Sequence, residues 1–159
     1  MLVINHQILD LENIVYTTMP LTLLRKDAIT EVVLTLDSRA VRKHSLEPVR
    51  YLIVFPFAKD HVFVGLSNSQ IMSSIAYEHI QFQTLIHLES AVRTRYEGPF
   101  EQIPHGLYNL YGYLEAKSLH AITSVYGIII SGIKDQEDNE CIILDMYAGI
   151  NRNIVLPQV

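Results

Sequence analysis

Two stretches of the chain repeat apolar residues every three or four positions, the spacing that gathers them on one side of an α-helix. The first covers residues 24–44 and carries Ile29, Val32, Val33, Leu36 and Ala40. The second covers residues 103–118 and carries Ile103, Leu107, Leu110, Tyr111 and Leu114. We therefore predict two amphipathic helices, the first closed by Pro48 and the second preceded by a sharp turn at Gly98-Pro99.

Strand patterns precede and follow each helix. β-branched and aromatic residues fill 13–18 before the first helix, and apolar and polar residues alternate over 90–96 before the second. After each helix, two apolar runs predict a hairpin, over 49–55 with 61–66 and over 121–130 with 141–147. Residues 67–74 are polar and predict a loop, while 76–88 mix strand and turn signals and receive no assignment.

The order strand, helix, strand, strand thus occurs twice, over about 1–83 and 84–159. We predict a single α+β domain of two such modules, with one antiparallel sheet and both helices on the same face of it. The length of 159 residues suits one domain, and a hydrophobic content of 49% is enough for a core. The free sheet face, or the groove between the helices, is then available to a ligand, since small-molecule pockets favour such junctions.

Charge and apolar runs narrow the class of protein. The formal charge of −5 argues against a nucleic-acid partner, because phosphate binding needs clustered Lys and Arg. We interpret the one basic cluster, over 39–50, as a solvated helix end rather than a DNA contact. Residues 1–6 lack the pattern of a signal peptide, and no apolar run approaches the ~20 residues that span a bilayer. We expect a cytoplasmic protein with no membrane partner.

Residue patterns typical of metal or cofactor chemistry are missing from the sequence. Cys141 is the single cysteine, so neither an intrachain disulfide nor a cysteine metal site can form. The seven histidines include no His-x-x-x-His or His-x-His pair. Neither a Gly-x-Ser-x-Gly elbow nor a glycine-rich phosphate or dinucleotide loop is present. We predict no metal and no cofactor.

Tyrosine is the residue type that points to a binding function. The chain has nine tyrosines and no tryptophan, and six lie in the second half: Tyr96, Tyr108, Tyr111, Tyr113, Tyr126 and Tyr147. A tyrosine ring offers a flat apolar face and a hydroxyl, which suits a pocket for planar ligands and can pair with a cation. The alternative is that these rings simply fill a core with their hydroxyls reaching water.

Asp145 lies within an apolar strand, where it shares a face with Ile143 and Tyr147. A buried unpaired carboxylate is destabilising, so Asp145 either points outward or has a function that a cation supports. The spacing alone favours the outward orientation.

The segments VRTRYEGPFEQI at 92–103 and LYGYL at 110–114 resemble the GyrI-like family, the effector-binding domains also found on AraC-type and MerR-type multidrug regulators. Members of that family have a Gly-Pro-aromatic-Glu element after a strand, then a helix with paired aromatic residues, then a strand with an aromatic residue and a closing strand with an acidic one. The resemblance covers about residues 91–150. It implies two strand-helix-strand-strand (SHS2) modules related by a pseudo-twofold axis.

The resemblance also implies a pocket between the modules for bulky, hydrophobic, often cationic compounds. Tyr111 and Tyr113 match the family's helix aromatics, Tyr126 matches the strand aromatic, and Asp145 matches the acidic counter-charge. Tyr108 and Tyr147 complete the candidate ligand-binding set. The sequence departs from the family pattern by having Asp in place of Glu, and Ala148-Gly149 in place of a closing Pro.

The leading hypothesis is a stand-alone binding protein for hydrophobic, cationic aromatic small molecules, since the sequence has no recognisable helix-turn-helix partner domain. Two alternatives remain open. One is a hydrolase of reactive aromatic ligands, in which Asp145 with Tyr111 or Tyr126 positions water. The other is an interaction partner or inhibitor of a DNA-acting enzyme such as gyrase, which the acidic charge permits.

Overall fold

A computed structural model describes residues 3–42, 49–57, 59–68, 71–74, 80–133 and 140–150. The two helices of this part of the chain are α1 (Lys26–Arg39) and α2 (Ile103–Ala116). Its strands are β1 (Val3–Pro20), β2 (Ala40–Arg42), β3 (Arg50–Phe55), β4 (His61–Ser67), β5 (Ile71–Ser74), β6 (Gln81–Pro99), β7 (Ala121–Ser131) and β8 (Cys141–Ile150). The predicted α+β class is confirmed.

Six strands form one antiparallel sheet in the order β1-β4-β3-β7-β8-β6. β1, β3 and β4 of the first module correspond to β6, β7 and β8 of the second. If these strands are exchanged, the order read from one end becomes the order read from the other. The predicted repeat of strand, helix, strand, strand is therefore present in the topology. Both predicted hairpins, β3 with β4 and β7 with β8, are also present. The sheet closes into a barrel, because β6 pairs with β1 from Val3 opposite Thr94 to Tyr16 opposite Gln81.

Closure depends on two outer strands that are longer than predicted. β1 has 18 residues and β6 has 19, and β6 takes in most of the segment left unassigned before residue 88. The predicted loop over 67–74 was wrong in part, since Ile71–Ser74 form β5 and pair with β2. Helix α1 likewise ends at Arg39 rather than near residue 44, because the chain enters β2. Pro48, residues 43–48 of the basic cluster and the acidic turn at 134–139 lie outside the described residues.

Both helices pack on the outer face of the sheet, as predicted. Ile29 and Val33 of α1, and Ile103, Leu110 and Leu114 of α2, belong to one buried cluster with side chains of the central strands. The inner face of the barrel holds a second buried cluster: Leu9, Leu11, Ile14, Leu52, Val54, Ile86, Leu88, Ala91 and Ile128. The sheet therefore separates two apolar layers, and side chains alternate between them along each central strand.

The start of α2 depends on the packing of Tyr96. Strand β6 continues through Gly98-Pro99, and the turn that we predicted there is made by a short 3-10 helix at Phe100–Gln102. The Tyr96 hydroxyl donates a hydrogen bond of 2.6 Å to the Pro99 carbonyl. A Cβ would lie 2.8 Å from the Tyr96 hydroxyl if added to Gly98, and 2.7 Å from the ring Cδ2 if added to Gly106. The two glycines therefore leave the space that this ring occupies.

Helix α2 ends in a Schellman motif, in which a residue in the left-handed conformation reverses the chain. The Leu119 amide donates to the Leu114 carbonyl at 2.8 Å, and the Ser118 amide donates to the Glu115 carbonyl at 3.0 Å. Ser118 has φ of 54°, a value at which glycine is normally favoured. The motif directs the chain from the end of α2 straight into β7.

Neither helix of the described part of the chain is long and apolar enough to cross a membrane.

Candidate functional site

Side chains on the inner face of the barrel are aligned in rows across the strands, because directly paired residues of antiparallel strands lie side by side on one face. One row runs from β4 to β6 through Phe63, Val54, Tyr126, Tyr147 and Arg93. The neighbouring row runs from β1 to β6 through Tyr16, Gly65, Leu52, Ile128, Asp145 and Arg95. Aromatic side chains thus occupy the middle of the barrel face, and charged groups lie at its β6 side.

A cavity of about 120 Å³, which we call the sheet-face cavity, opens among these aromatic residues. Its walls come from both modules and consist of Ile14, Tyr16, Leu52, Val54, Phe63, Gln83, Ile86, Ser124 and Tyr126. The rings of Tyr16 and Phe63 meet edge to face, with 5.5 Å between their centroids. The edge of one ring covers part of a face of the other, and His61 also meets Phe63 edge to face, with 5.3 Å between centroids. The ring surface outside these contacts is what a third planar group can reach.

Tyr126 is the candidate residue that lines this cavity. Burial, and then the neighbouring Tyr16, raises the pKa of the Tyr126 phenol. Its hydroxyl therefore stays protonated over the physiological range and can donate a hydrogen bond to a ligand. Ser124 and Gln83 supply further polar groups at the same cavity.

Asp145 is buried, with 5% of its surface exposed, so the outward orientation favoured by its spacing was wrong. Arg95, directly opposite on β6, donates from Nε to Oδ1 at 2.7 Å and from Nη2 to Oδ2 at 3.0 Å. These hydrogen bonds, and then the Asp145 charge, raise the pKa of Arg95. The bidentate pair satisfies the carboxylate within the protein, and the Arg95 side chain remains half exposed.

The six candidate residues fall into separate places. Tyr126, Tyr147 and Asp145 lie together on the inner barrel face. Tyr113 packs against the outer, helix-side cluster and accepts a hydrogen bond of 3.5 Å from the Asn5 amide. Tyr108 is 74% exposed and lines neither of the two cavities described in this section.

Tyr111 lines a different cavity, which we call the helix-end cleft. This cleft has a volume of about 510 Å³ and lies between the end of α2, the start of β7 and Phe57. Its lining residues are Phe57, Tyr111, Leu114, Glu115, Ser118, Leu119, His120, Ala121 and Thr123. Burial raises the pKa of Tyr111, whose ring meets that of Phe57 edge to face at 5.5 Å.

The fold can be compared with known proteins on this basis. No protein-family model and no curated protein matches the sequence. Among solved structures, the EcmrR C-terminal domain superposes with a TM-score of 0.65 over 95% of this chain and 99% of that domain, at 13% identity. This chain has the fold of the EcmrR C-terminal domain.

Two proteins from Listeria innocua are more distant structural neighbours. An uncharacterized conserved protein aligns with a TM-score of 0.51 at 11% identity, over 92% of this chain and 93% of its own. A hydrolase aligns with a TM-score of 0.48 at 11% identity, over 91% of each chain. The hydrolase score is too low to bear on function, and the EcmrR likeness concerns the fold alone.

The first module contributes residues to the cavity that the sequence pattern did not indicate. Tyr16, Phe63 and Gln83 all line it, yet the candidate set came from residues 108–147 alone. The signal was available for two of them, because Tyr16 and Phe63 lie in predicted strands and a two-module pocket requires residues from both halves.

The GyrI-like pattern has a closing proline where this chain has Ala148-Gly149, and this difference has a local structural explanation. The Gly149 amide donates to Thr123 Oγ1 at 2.9 Å, a bond that a proline could not make. A Cβ on Gly149 would lie 2.7 Å from the Thr123 methyl carbon. Ala148-Gly149 therefore suits the irregular pairing between β7 and β8 near Thr123.

Within the described residues, no group of three or more His, Cys, Asp or Glu side chains is arranged to hold a metal ion.

Proposed function

We propose that this chain is a small-molecule-binding domain that takes hydrophobic aromatic compounds in the sheet-face cavity. The observation that carries the proposal is the convergence of Tyr16, Phe63 and Tyr126, from both modules, on one cavity. An effector-binding role is supported by the GyrI-like resemblance of residues 91–150 and by the fold shared with the EcmrR C-terminal domain.

The dimensions of the cavity limit how a ligand enters it. A volume of about 120 Å³ accepts roughly one aromatic ring, as an apolar cavity of similar size accepts benzene. A larger compound would bury one ring between Tyr16, Phe63 and Tyr126 and leave the remainder at the mouth. Stacking on aromatic rings contributes roughly 0.5–1.5 kcal/mol per pair beyond the burial of apolar area.

The charge of the ligand is a separate question. The resemblance implied a cation held by Asp145, but both of that carboxylate's oxygens accept hydrogen bonds from Arg95. A cation at Asp145 would therefore have to displace the Arg95 guanidinium. We propose that the sheet-face cavity recognises the aromatic ring itself, while recognition of a cation by Asp145 remains a prediction that depends on this displacement.

The test is a titration of the protein with naphthalen-2-ylmethanol, a neutral two-ring alcohol, with binding measured by isothermal titration calorimetry and by amide NMR. We expect saturable binding that perturbs the amides of Tyr16, Phe63 and Tyr126. Tyr126→Ala and Phe63→Ala should each weaken binding by about tenfold. Tyr108→Ala is the matched control, because Tyr108 is 74% exposed and lines neither cavity. Equal binding by Tyr126→Ala and the unmodified protein would refute the proposal.

The hydrolase alternative requires Asp145 to act as a general base near a tyrosine. The bidentate bond to Arg95 occupies the carboxylate, and Tyr111 lies on the outer side of the sheet, so Tyr126 is the partner that remains. Hydrolysis therefore remains a hypothesis that mass spectrometry of reactive aromatic compounds, incubated with the protein, would test. The role as a partner of a DNA-acting enzyme also remains a prediction.

A further inference from the structure

The helix-end cleft is independent of the sheet-face cavity. Its residues Tyr111 and Leu114 pack with the outer, helix-side cluster, whereas Tyr126 and Phe63 pack with the inner cluster. The volume of about 510 Å³ falls in the range of roughly 300–1,000 Å³ that is usual for small-molecule sites.

The floor and mouth of the cleft suit an aromatic ligand. Leu114 is buried, and Leu119 and Ala121 are partly buried, so the floor is apolar. Phe57 stands at the mouth with 68% of its surface exposed, and its ring is supported by the edge-to-face contact with Tyr111. A flat ligand between Phe57 and this floor would cover the exposed ring and gain aromatic contact with Tyr111.

The charges around the cleft favour a positive group on the ligand. Glu115 lines it, and among the described residues its carboxylate has no ion-pair partner. The C-terminal end of α2, which is the negative end of the helix dipole, lies at the same place, with the carbonyls of Leu114 and Glu115 capped by the amides that follow. The faces of Phe57 and Tyr111 also attract cations. His120 lines the cleft as well, while Lys117 is exposed and does not line it.

We propose that the helix-end cleft is a second small-molecule site, which takes an aromatic compound bearing an ammonium group. The ring lies against Phe57 and Tyr111, and the ammonium lies toward Glu115 and the end of α2. The site is separate from the one in the proposed function, so each can be present without the other.

The experiment compares two probes of nearly equal shape at pH 8, naphthalen-2-ylmethylammonium and naphthalen-2-ylmethanol, by calorimetry and amide NMR. The ammonium compound should shift the amide signals of Ser118 and Leu119 and bind the cleft about fivefold more tightly than the alcohol does. Phe57→Ala should weaken binding of the ammonium compound at the cleft by about tenfold. Tyr126→Ala should leave the Ser118 and Leu119 shifts unchanged, which distinguishes this site from the sheet-face cavity.

The charge of Glu115 is tested by Glu115→Gln, which should reduce the affinity of the ammonium compound at the cleft to that of the alcohol. Glu101→Gln makes the same charge change at the exposed start of the helix and should have no effect. The proposal is overturned if the Ser118 and Leu119 signals do not move, if the alcohol binds the cleft as tightly as the ammonium compound, or if the two glutamine variants behave alike. Phe57 and Glu115 are exposed, so both variants are expected to fold.

Discussion

Arg95 and Asp145 form a bidentate ion pair across β6 and β8, with the acid buried and the guanidinium half exposed. The two residues are directly opposite each other in the register, and Ile128 lies on the other side of Asp145. The resemblance to the GyrI-like family implied that the carboxylate of Asp145 pairs with a cationic ligand. In the structure this carboxylate is paired with Arg95 of the protein itself.

Loss of Arg95 should destabilise the protein more than loss of both partners. Arg95→Met leaves a buried carboxylate without its guanidinium partner, which costs more than the roughly 1–3 kcal/mol of an unpaired neutral polar group. The double variant Arg95→Met with Asp145→Leu removes this unpaired charge and should unfold at a higher urea concentration than Arg95→Met alone. Urea unfolding of both variants and of Asp145→Leu completes the cycle. An identical midpoint for the single Arg95 variant and the unmodified protein would contradict the structure.

The central elements could be predicted from the sequence, but of the outer strands β1 and β6 only residues 13–18 and 90–96 were predicted. In each central strand the side chains alternate regularly between the two faces of the sheet, so the period of apolar residues identifies the strand. In β1 the side chains of Leu9, Leu11 and Ile14 all point into the barrel. The strict alternation of inward and outward side chains is therefore broken between Leu11 and Ile14, at Asn13, which has φ of 51°. In β6 the change falls between Leu88 and Ala91, beside a register shift. Such irregularities interrupt the apolar periodicity of the two outer strands. Their ends are determined by pairing with residues far away in sequence, and a local pattern contains no information on that pairing.

The candidate site shows the same limit. Tyr126 was identified because it matches the strand aromatic of the GyrI-like pattern, which is a local feature of the sequence. The division of the tyrosines between two cavities was not predictable, because it depends on which face of the sheet α2 covers. The partner of Asp145 is 50 residues away in sequence, and the register of two strands brings the pair together.

Two glycines of α2 should respond in opposite ways to replacement by alanine. Gly106→Ala places a Cβ 2.7 Å from the Tyr96 ring, and such overpacking lowers the free energy of unfolding by about 1–3 kcal/mol. Gly112→Ala meets nothing within 4 Å and should raise the free energy of unfolding by about 0.5–1 kcal/mol, because alanine is the better helix former. Thermal and urea unfolding of the two variants measure the contrast. If both variants are stabilised, Tyr96 does not occupy the space beside Gly106.

Ser118→Gly should stabilise the protein. Ser118 holds φ of 54° at the end of α2, and the left-handed conformation costs a residue with a Cβ about 1 kcal/mol. Glycine removes that strain but also gives the unfolded chain more conformational freedom, which offsets part of the gain. The net effect should be an increase of about 0.5 kcal/mol in the free energy of unfolding. The preceding Lys117 has φ of −97°, so Lys117→Gly relieves no strain and should destabilise. The sign of the difference between these neighbouring variants, measured by urea unfolding, is the test.

The pairing of His87 with Asp10 should make stability depend on pH. These residues are directly opposite on β6 and β1, and His87 Nδ1 is hydrogen-bonded to Asp10 Oδ1. That bond, then the Asp10 charge, raises the pKa of His87 above 6.5, against the smaller opposing effect of burial; Glu89 adds to the increase. Because the folded pKa is the higher one, the contribution is complete below pH 6.5 and is lost as the pH rises through the folded value.

His87→Gln should therefore reduce the free energy of unfolding at pH 5.5 more than at pH 8.5, with the difference measured by urea unfolding at each pH. Both side chains are about half exposed, so added salt should reduce the difference. An NMR titration gives the mechanism directly, since the His87 ring signals should report a pKa above 6.5 that falls in Asp10→Asn. A His87 pKa unchanged by Asp10→Asn would mean that the carboxylate does not stabilise the imidazolium, and the pH dependence would then require another group.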